Sequence, residues 1–222
     1  MTAVLAASLV ILAGGESKRM GRPKHLLSTP AGTILEHICQ QLSPQFEETL
    51  VVGRDPIRSL SPGVRFIEDA RPEKTPLVGI YSGLLFANTP LCFVVACDMP
   101  FVKPQVVQRL YEHTENADVA VPLVNSYYEP LCAFYRNSAL ASIESALDCG
   151  ERKVTAIYDG LRIRAVNESV LRTVDRELVS FINLNTPREL SYLEELNTCL
   201  SLGVSLPVDT APCTRPNVHH SA

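Results

Sequence analysis

A glycine-rich and basic stretch near the start of the chain is the first place where chemistry is expected. The apolar residues 9–12 are followed by Gly14 and Gly15, and Arg19 and Lys24 come shortly after them. Glycines let the backbone curve so that its N–H groups point at an anion, and the two cations add positive charge beside those amides. The spacing predicts a phosphate-binding loop, while an ordinary strand-to-helix turn with surface cations is the alternative that composition leaves open.

Two widespread phosphate loops are excluded by the same spacing. The P-loop requires a glycine, four residues and then Gly-Lys-Ser/Thr, whereas five residues separate Gly15 from Gly21 and Arg22 follows. The dinucleotide fingerprint Gly-x-Gly-x-x-Gly is absent from the chain. The expected ligand is therefore a phosphate held by another kind of loop.

Polar side chains at two later positions also suggest chemistry. Asp98 follows the apolar residues 91–97, and a carboxylate beyond the end of a buried strand is a candidate magnesium ligand. A helix N-cap is the alternative for Asp98, but the next helical pattern begins only at Pro104. Asn183 and Asn185 bracket an apolar residue in an extended segment, so their amides are expected to share one face, either in a site or on an edge strand.

Alternating strands and helices must position these residues. Thr33 with Glu36 predicts a capping box at the start of a helix, and Pro187 predicts the start of a last helix that extends to residue 196. Alternation of this kind indicates an α/β fold with a mainly parallel central sheet. Strands are predicted at residues 9–12, 49–52, 64–67, 91–97 and 117–124, and β-like runs at 161–166 and 169–174.

A helix predicted over residues 77–87 carries an unusual pair of glycines. Gly79 and Gly83 are four residues apart, which leaves one side of the helix bare. Close packing on the sheet and contact with a ligand explain this equally well. The apolar pattern places Leu77, Ile80, Leu84 and Leu85 toward the core.

The residues 12–24, LAGGESKRMGRPK, resemble the signature of nucleotidyltransferases, and their Ala-Gly-Gly form is most similar to that of the molybdenum cofactor guanylyltransferases. Four further segments match that family in order, at residues 75–80, 98–100, 128–135 and 183–187. The resemblance implies a Rossmann-like three-layer nucleotidyltransferase fold. It also implies GMP transfer from GTP to molybdopterin with Mg²⁺ as cofactor, which releases pyrophosphate.

The resemblance also implies a role for each matching residue. Catalytic roles fall to Arg19, Lys24 and Asp98; nucleotide binding to Leu12, Ala13, Gly14, Gly15, Lys24, Asp69 and Asp98; pterin binding to Asn183 and Asn185; and metal binding to Asp98. Molybdoenzymes, or proteins that deliver the cofactor, are further implied partners. Other hypotheses are a cytidylyltransferase on the same pterin, an NTP transferase on a sugar phosphate or another small phosphate, and a nucleotide-binding regulator without activity.

Composition narrows the class of protein. The 222 residues are 46% hydrophobic with a net charge of −4, which suits one domain with a large core and gives no general basic footprint for nucleic acid. Seven cysteines occur, an odd number, and the lack of a C-x-x-C pair argues against a zinc ribbon or a redox motif. Most of them lie in apolar segments as small core residues, which fits a reducing, cytoplasmic setting best. No run reaches the about 20 apolar residues that span a bilayer. We expect one domain over residues 1–198 and a disordered tail over 199–222, where Pro, Ser and Thr increase.

Overall fold

The computed structural model describes residues 4–13, 28–29, 32–57 and 60–184. Its strands are β1 (Leu5–Leu12), β2 (Ser28–Thr29), β3 (Gly32–Thr33), β4 (Phe46–Gly53), β5 (Val64–Glu68), β6 (Leu91–Ala96), β7 (Val119–Val124), β8 (Tyr127–Tyr128), β9 (Cys132–Arg136) and β10 (Ile163–Asn167). Its α-helices are α1 (Ile34–Leu42), α2 (Pro76–Phe86), α3 (Pro104–Tyr111), α4 (Leu140–Asp148) and α5 (Glu168–Leu171). Short 3₁₀ helices occupy Ser43–Gln45, Asn137–Ala139, Val154–Tyr158 and Val179–Phe181.

A single large sheet organises these elements. Its strand order is β10-β7-β9-β6-β1-β4-β5, and the short β8 pairs with β7. The pairs β1–β4, β1–β6, β4–β5 and β10–β7 are parallel, whereas β9 is antiparallel to both of its neighbours. The predicted α/β class with a mainly parallel sheet is thus confirmed, with one reversed strand inserted in it.

Helices cover both faces of the sheet and give the molecule three layers. In β1, Leu9 and Ile11 join the core that contains α1 and α3, while Val10 and Leu12 join the core that contains α2 and α4. A strand covered on both faces needs apolar residues at successive positions. This requirement explains the uninterrupted apolar run that leads into the glycine-rich stretch.

The start of α1 has the predicted capping box. The Glu36 N–H donates to Thr33 Oγ1 at 3.2 Å, and the Thr33 N–H donates to Glu36 Oε2 at 2.7 Å. Two N–H groups that the helix cannot satisfy itself are therefore bonded. The predicted apolar face is also confirmed, since Ile34, Leu35, Ile38 and Leu42 are all buried.

The two glycines of α2 serve close packing. A Cβ atom at Gly79 would lie 2.9 Å from Leu12 Cδ2, and one at Gly83 would lie 2.5 Å from Val10 Cγ1. Helix α2 therefore rests directly on β1, and of the two explanations for the bare side it is packing that holds. The inward prediction for Leu85 was wrong, because this side chain is 46% exposed on the face turned away from the sheet.

One predicted strand is also wrong. Residues 169–174 were expected to be extended, but the chain forms α5 over Glu168–Leu171 and then turns. The Arg172 side chain donates to Glu168 Oε1 at 2.8 Å, and the Asn125 N–H donates to Glu168 Oε2 at 3.0 Å. These bonds favour a helical turn over the local preference of β-branched side chains for strands.

The predicted last helix at 187–196 and the tail at 199–222 lie outside the described residues. Within the part of the chain that the structure describes, no helix is long and apolar enough to cross a membrane.

Candidate active site

The carboxyl ends of the parallel strands form one edge of the sheet, and backbone hydrogen bonds beyond the strands fix its shape. The Ala13 N–H donates to Val52 O at 2.8 Å, the Cys97 N–H to Leu12 O at 3.0 Å, and the Asp69 N–H to Gly53 O at 3.0 Å. Ligands of open parallel sheets bind beyond this edge. The residues that follow β1, β5 and β6 are therefore held in the place where a ligand is expected.

Asp98 lies at this edge, two residues beyond the end of β6, and is partly exposed. It does not cap a helix, since Lys103 occupies the N-cap position of α3. The backbone fixes its place on both sides: the Met99 N–H donates to Ala96 O at 3.0 Å, and the Leu184 N–H donates to Asp98 O at 2.7 Å. The strand-end position predicted for Asp98 is thus what the structure has.

Asn183 is brought to the same edge by the Leu184–Asp98 hydrogen bond. Its neighbours Ile182 and Leu184 are buried in the core, which anchors the segment. The Asn183 Oδ1 atom is buried and has no hydrogen-bond partner among the described residues. A buried polar atom without a partner is costly, so this oxygen is suited to a bond from a ligand or a cation.

Asp69 follows β5 on the other side of β1. Its carboxylate lies 3.9 Å from Arg54 Nε and its side chain is 14% exposed. Burial raises the pKa of Asp69, the Arg54 charge opposes that rise, and the neighbouring Glu68 adds to it. The two aspartates, Asp69 and Asp98, therefore lie at the same edge with the ends of β1 and β4 between their strands.

The remaining predicted site residues divide into two groups. Leu12 is buried beneath α2 and its carbonyl is bonded to Cys97, while Ala13 continues the strand end as a buried residue. The other group lies outside the described residues and comprises Gly14, Gly15, Arg19, Lys24 and Asn185. The structure thus brings Leu12, Ala13, Asp69, Asp98 and Asn183 to one edge.

Two acidic residues near this edge were not singled out from the sequence. Glu129 lies just before β9, next to the carboxyl end of β6, and burial raises the pKa of its carboxyl to about 7. Asp175 is fully buried and accepts hydrogen bonds from Lys103 and Ser180. Glu129 falls inside the matched segment 128–135 and was within reach of the sequence, whereas the partner of Asp175 is 72 residues away in the chain.

The oxygen atoms at this edge suit a hard cation. No group of three or more His, Cys, Asp or Glu side chains comes together in the described ranges. A cage of protein ligands is therefore absent there, but magnesium is commonly held by one or two carboxylates together with substrate phosphates and water. Asp98 with the Asn183 oxygen fits that smaller protein contribution.

Comparison with known proteins agrees with this arrangement. A family profile described as the MobA-like NTP transferase domain matches residues 9–165, more than half of the chain. The chain belongs to this family. It is therefore a nucleotidyltransferase, and the matched residues include the carboxyl ends of β1, β4, β5 and β6.

Individual relatives of this chain are named as molybdenum cofactor guanylyltransferases. The chain is 36% identical over 187 residues to a probable molybdenum cofactor guanylyltransferase of Pelotomaculum thermopropionicum, with 84% of this chain and 91% of the relative covered. It is 35% identical over 191 residues to the molybdenum cofactor guanylyltransferase of Desulfosudis oleivorans, with 85% and 95% covered.

Solved structures show the same fold. The molybdopterin-guanine dinucleotide biosynthesis protein A of Archaeoglobus fulgidus superposes with a TM-score of 0.75 at 33% identity, covering 86% of this chain and 98% of that one. The 2-C-methyl-D-erythritol 4-phosphate cytidylyltransferase of Thermus thermophilus superposes with a TM-score of 0.65 at 21% identity, covering 86% and 98%. The nucleotidyltransferase fold expected from the resemblance is therefore confirmed.

Proposed function

We propose that this protein transfers GMP from GTP to molybdopterin, forming the guanine dinucleotide cofactor and pyrophosphate. Membership of the NTP transferase family and the names of its relatives support this reaction. The structural observation that carries the proposal is the 2.7 Å hydrogen bond from Leu184 to Asp98. It holds the backbone of an acidic residue next to that of Asn183, whose amide oxygen has no partner among the described residues, beyond the end of the sheet, where two phosphates could meet.

The glycine-rich stretch is assigned to the triphosphate. The amides of Gly14 and Gly15 and the Arg19 guanidinium would hold the β- and γ-phosphates, and Lys24 would neutralise charge at the α-phosphate. Leu12 and Ala13 lead the chain into this loop, and Asp69 would contact the nucleotide from the end of β5. These assignments agree with the direction of β1, whose carboxyl end lies at this edge.

The asparagines are assigned to the acceptor. Asn183 would lie near the terminal phosphate of the pterin, because it joins the edge beside β6 and away from β5, and Asn185, which follows it closely in the sequence, is assigned the same role. An asparagine amide both donates and accepts hydrogen bonds and carries no charge. It can therefore bind a phosphate without repelling it.

Magnesium fits the oxygens present and is proposed as the cofactor. Asp98 would hold it, with the neighbouring Asn183 oxygen available to the same site. When bound, the ion would neutralise negative charge on the reacting phosphates.

The protein's own contribution is positioning and charge neutralisation. The acceptor phosphate would attack the α-phosphorus of GTP in line, the bond to the bridging oxygen would break, and pyrophosphate would leave with that electron pair. No covalent intermediate on the protein is required. Catalysis then depends on how accurately the residues at the edge hold two anions next to each other.

We also propose further partners and a compartment for the protein. Proteins that deliver the cofactor, or molybdoenzymes that receive it, are proposed partners. All five cysteines in the described residues are free thiols, and four of these are buried. This supports the proposal of a reducing, cytoplasmic setting.

The test is to incubate the purified protein with molybdopterin, magnesium and each of the four NTPs, and to measure pyrophosphate release. Release with GTP and no other nucleotide is expected. Release with CTP but not GTP would overturn the assignment of the donor. If pyrophosphate were released from GTP when a sugar phosphate replaces molybdopterin, but not with molybdopterin itself, the assignment of the acceptor would be overturned.

A further inference from the structure

A fully buried aspartate lies close to the edge but has no part in the chemistry described above. Asp175 is 0% exposed. Its Oδ1 accepts a hydrogen bond from Lys103 Nζ at 2.8 Å, and its Oδ2 accepts one from the Ser180 N–H at 2.9 Å. A buried carboxylate is tolerated when it is paired with a cation and both of its oxygens are bonded, which is the case here.

The hydrogen bonds of Asp175 connect two segments of the site. Lys103 ends the loop that begins at Asp98, and Ser180 lies three residues before Asn183. A third bond closes the network, since the Lys103 N–H donates to Ser180 Oγ at 3.0 Å. We call Asp175, Lys103 and Ser180 the clamp.

The segment between Asp175 and Asn183 needs this support. Leu178 has a left-handed backbone with φ of 53°, which costs free energy for a residue other than glycine. The Leu178 N–H donates to Asp175 O at 3.0 Å, and a 3₁₀ turn follows at Val179–Phe181. A strained turn of this kind persists only when its surroundings fix it, and Asp175 supplies both a backbone and a side-chain contact to it.

The two sides of the site depend on the clamp to different degrees. Asp98 directly follows the β6 region, and Met99 is bonded back to Ala96, so the sheet itself holds this loop. Asp69 and Ala13 are likewise bonded to β4. Asn183 lies in no strand and is connected to the edge through the clamp and the Leu184–Asp98 bond.

We propose that Asp175 is a positioning residue that holds Asn183 in place beside Asp98 and thereby sets the affinity for the acceptor. The proposal rests on the function proposed above. Asp175 touches no substrate in this scheme, because its carboxylate is buried and both of its oxygens are bonded within the protein. Loss of the clamp should therefore weaken acceptor binding and leave GTP binding close to its original strength.

The first variant for the test is Asp175→Asn. Asparagine has nearly the same size, but its amide NH₂ group is a donor. It would face either the Lys103 ammonium or the Ser180 N–H, which are donors too, so at least one hydrogen bond is lost. We expect the KM for molybdopterin to rise roughly 10- to 100-fold, as for loss of a hydrogen bond to a charged group. The KM for GTP, measured with the acceptor saturating, should stay within about twofold.

A second variant tests whether the two charges act as a pair. Lys103→Met removes the ammonium, keeps most of the stem, and leaves Asp175 buried without its cation. It should give the same split between the two KM values. The double variant should be no worse than the worse single variant, because partners in one network are not additive.

The matched control is Asp118→Asn. Asp118 is also buried and is bonded to Arg162 Nε at 2.9 Å and to Arg162 Nη2 at 2.8 Å, but it precedes β7 and lies at the opposite edge of the sheet. It should lower stability without separating the KM for molybdopterin from the KM for GTP. Equal rises of both KM values in Asp175→Asn, or an unchanged KM for molybdopterin, would overturn the proposal.

Amide hydrogen exchange tests, without any substrate, whether Asp175 holds the segment around Asn183 in place. In Asp175→Asn the Leu184 amide should exchange at least about tenfold faster, while the Ala13 and Asp69 amides keep their protection. Unchanged exchange at Leu184 would overturn the clamp. If the wild-type protein released no pyrophosphate with molybdopterin and any NTP, the proposed function would fail. The exchange result would still decide whether Asp175 holds the Leu184 amide in place.

Discussion

At the scale of single residues, Asp98 gives the most direct prediction. Asp98→Asn keeps the size of the side chain and removes the charge that a magnesium ion needs. We expect kcat to fall on the order of 100-fold or more, the loss typical of one electrostatic partner in a transition state. The measurement is pyrophosphate release over a magnesium titration, with the exposed Asp159→Asn as control. Wild-type turnover in Asp98→Asn at ordinary magnesium would move the metal site elsewhere.

Glu129 predicts a pH dependence of stability. Burial raises the pKa of this carboxyl from its ordinary 4.5 to about 7. Well below pH 4.5 the group is neutral in the folded and the unfolded chain. As the pH rises from 4.5 to about 7, the unfolded chain ionises more readily, so the folded state loses up to about 3 kcal/mol of stability.

Glu129→Gln should remove this loss. The stabilities of the variant and the wild type should differ by less than about 0.5 kcal/mol at pH 4.5, and at pH 8 the variant should be more stable by up to about 3 kcal/mol. Urea unfolding followed by circular dichroism at the two pH values measures the difference. The exposed Glu115→Gln is the control. Identical stability of wild type and Glu129→Gln at pH 8 would show that burial does not penalise this charge.

At the scale of elements, the contact of α2 with β1 gives a prediction of unexpected sign. Gly→Ala within a helix normally stabilises it by about 1 kcal/mol. At Gly83 the added Cβ would lie 2.5 Å from Val10 Cγ1, in the middle of a buried strand that cannot move away. Gly83→Ala should therefore destabilise the protein by about 1–3 kcal/mol, the usual cost of overpacking.

Gly160→Ala is the control for this helix contact, because nothing lies within 4 Å of a Cβ atom there. Its free energy of unfolding should change little. The double variant Val10→Ala/Gly83→Ala should lose less stability than the sum of its single variants, since removing the valine methyls makes room for the new one. A Gly83→Ala protein as stable as the wild type would mean that α2 moves away from the sheet at no cost.

The elements also show what the sequence could predict and what it could not. The strand before the glycine-rich stretch, the capping box at Thr33 and the position of Asp98 depend on local patterns, and all three are confirmed. The reversed direction of β9 depends on which strands become neighbours, and periodicity does not encode this. Leu85 was misplaced because Gly79 and Gly83 set the side of α2 that meets β1, and Leu85 lies on another, exposed side.

The candidate site divides in the same way. Asp69 and Asp98 could be found because each follows a predicted strand, and Asn183 because it belongs to a short motif that resembles the family. The Asp175–Lys103 pair could not, because its members are 72 residues apart and neither has a local pattern. The incorrect β prediction for residues 169–174 added to this difficulty. A strand there would leave no turn after residue 171, and the role of Asp175 is to support such a turn.

At the scale of the whole molecule, the buried cysteines can be used to measure the unfolding of both cores. Cys39 and Cys132 belong to the core that contains α1 and α3, and Cys92 to the core that contains α2 and α4. Burial raises the pKa of Cys39 to about 11 and that of Cys92 to about 12, which suppresses the reactive thiolate. In a Cys149→Ser/Cys199→Ser/Cys213→Ser background, we expect no native-state reaction with an aromatic disulfide reagent.

Because both cores share one sheet, these thiols should become reactive together. Their modification should follow the same urea midpoint as the far-ultraviolet circular dichroism signal, as expected for one cooperative unit. Mass mapping of the labelled peptides assigns each thiol to its core. Labelling of Cys92 at clearly lower urea than Cys39 and Cys132 would instead show that the α2–α4 layer opens separately.

The reversed strand β9 has a consequence for the order in which a newly made chain can fold. Strands β5, β4, β1 and β6 are all complete once residue 96 has been synthesised, so this half of the sheet can pair at once. Strand β7 is made next but reaches the sheet only through β9, which ends at residue 136. Until then the apolar residues of β6 form an open edge, which other nascent chains can join. A pause of the ribosome between residues 96 and 136 would lengthen this interval and increase aggregation.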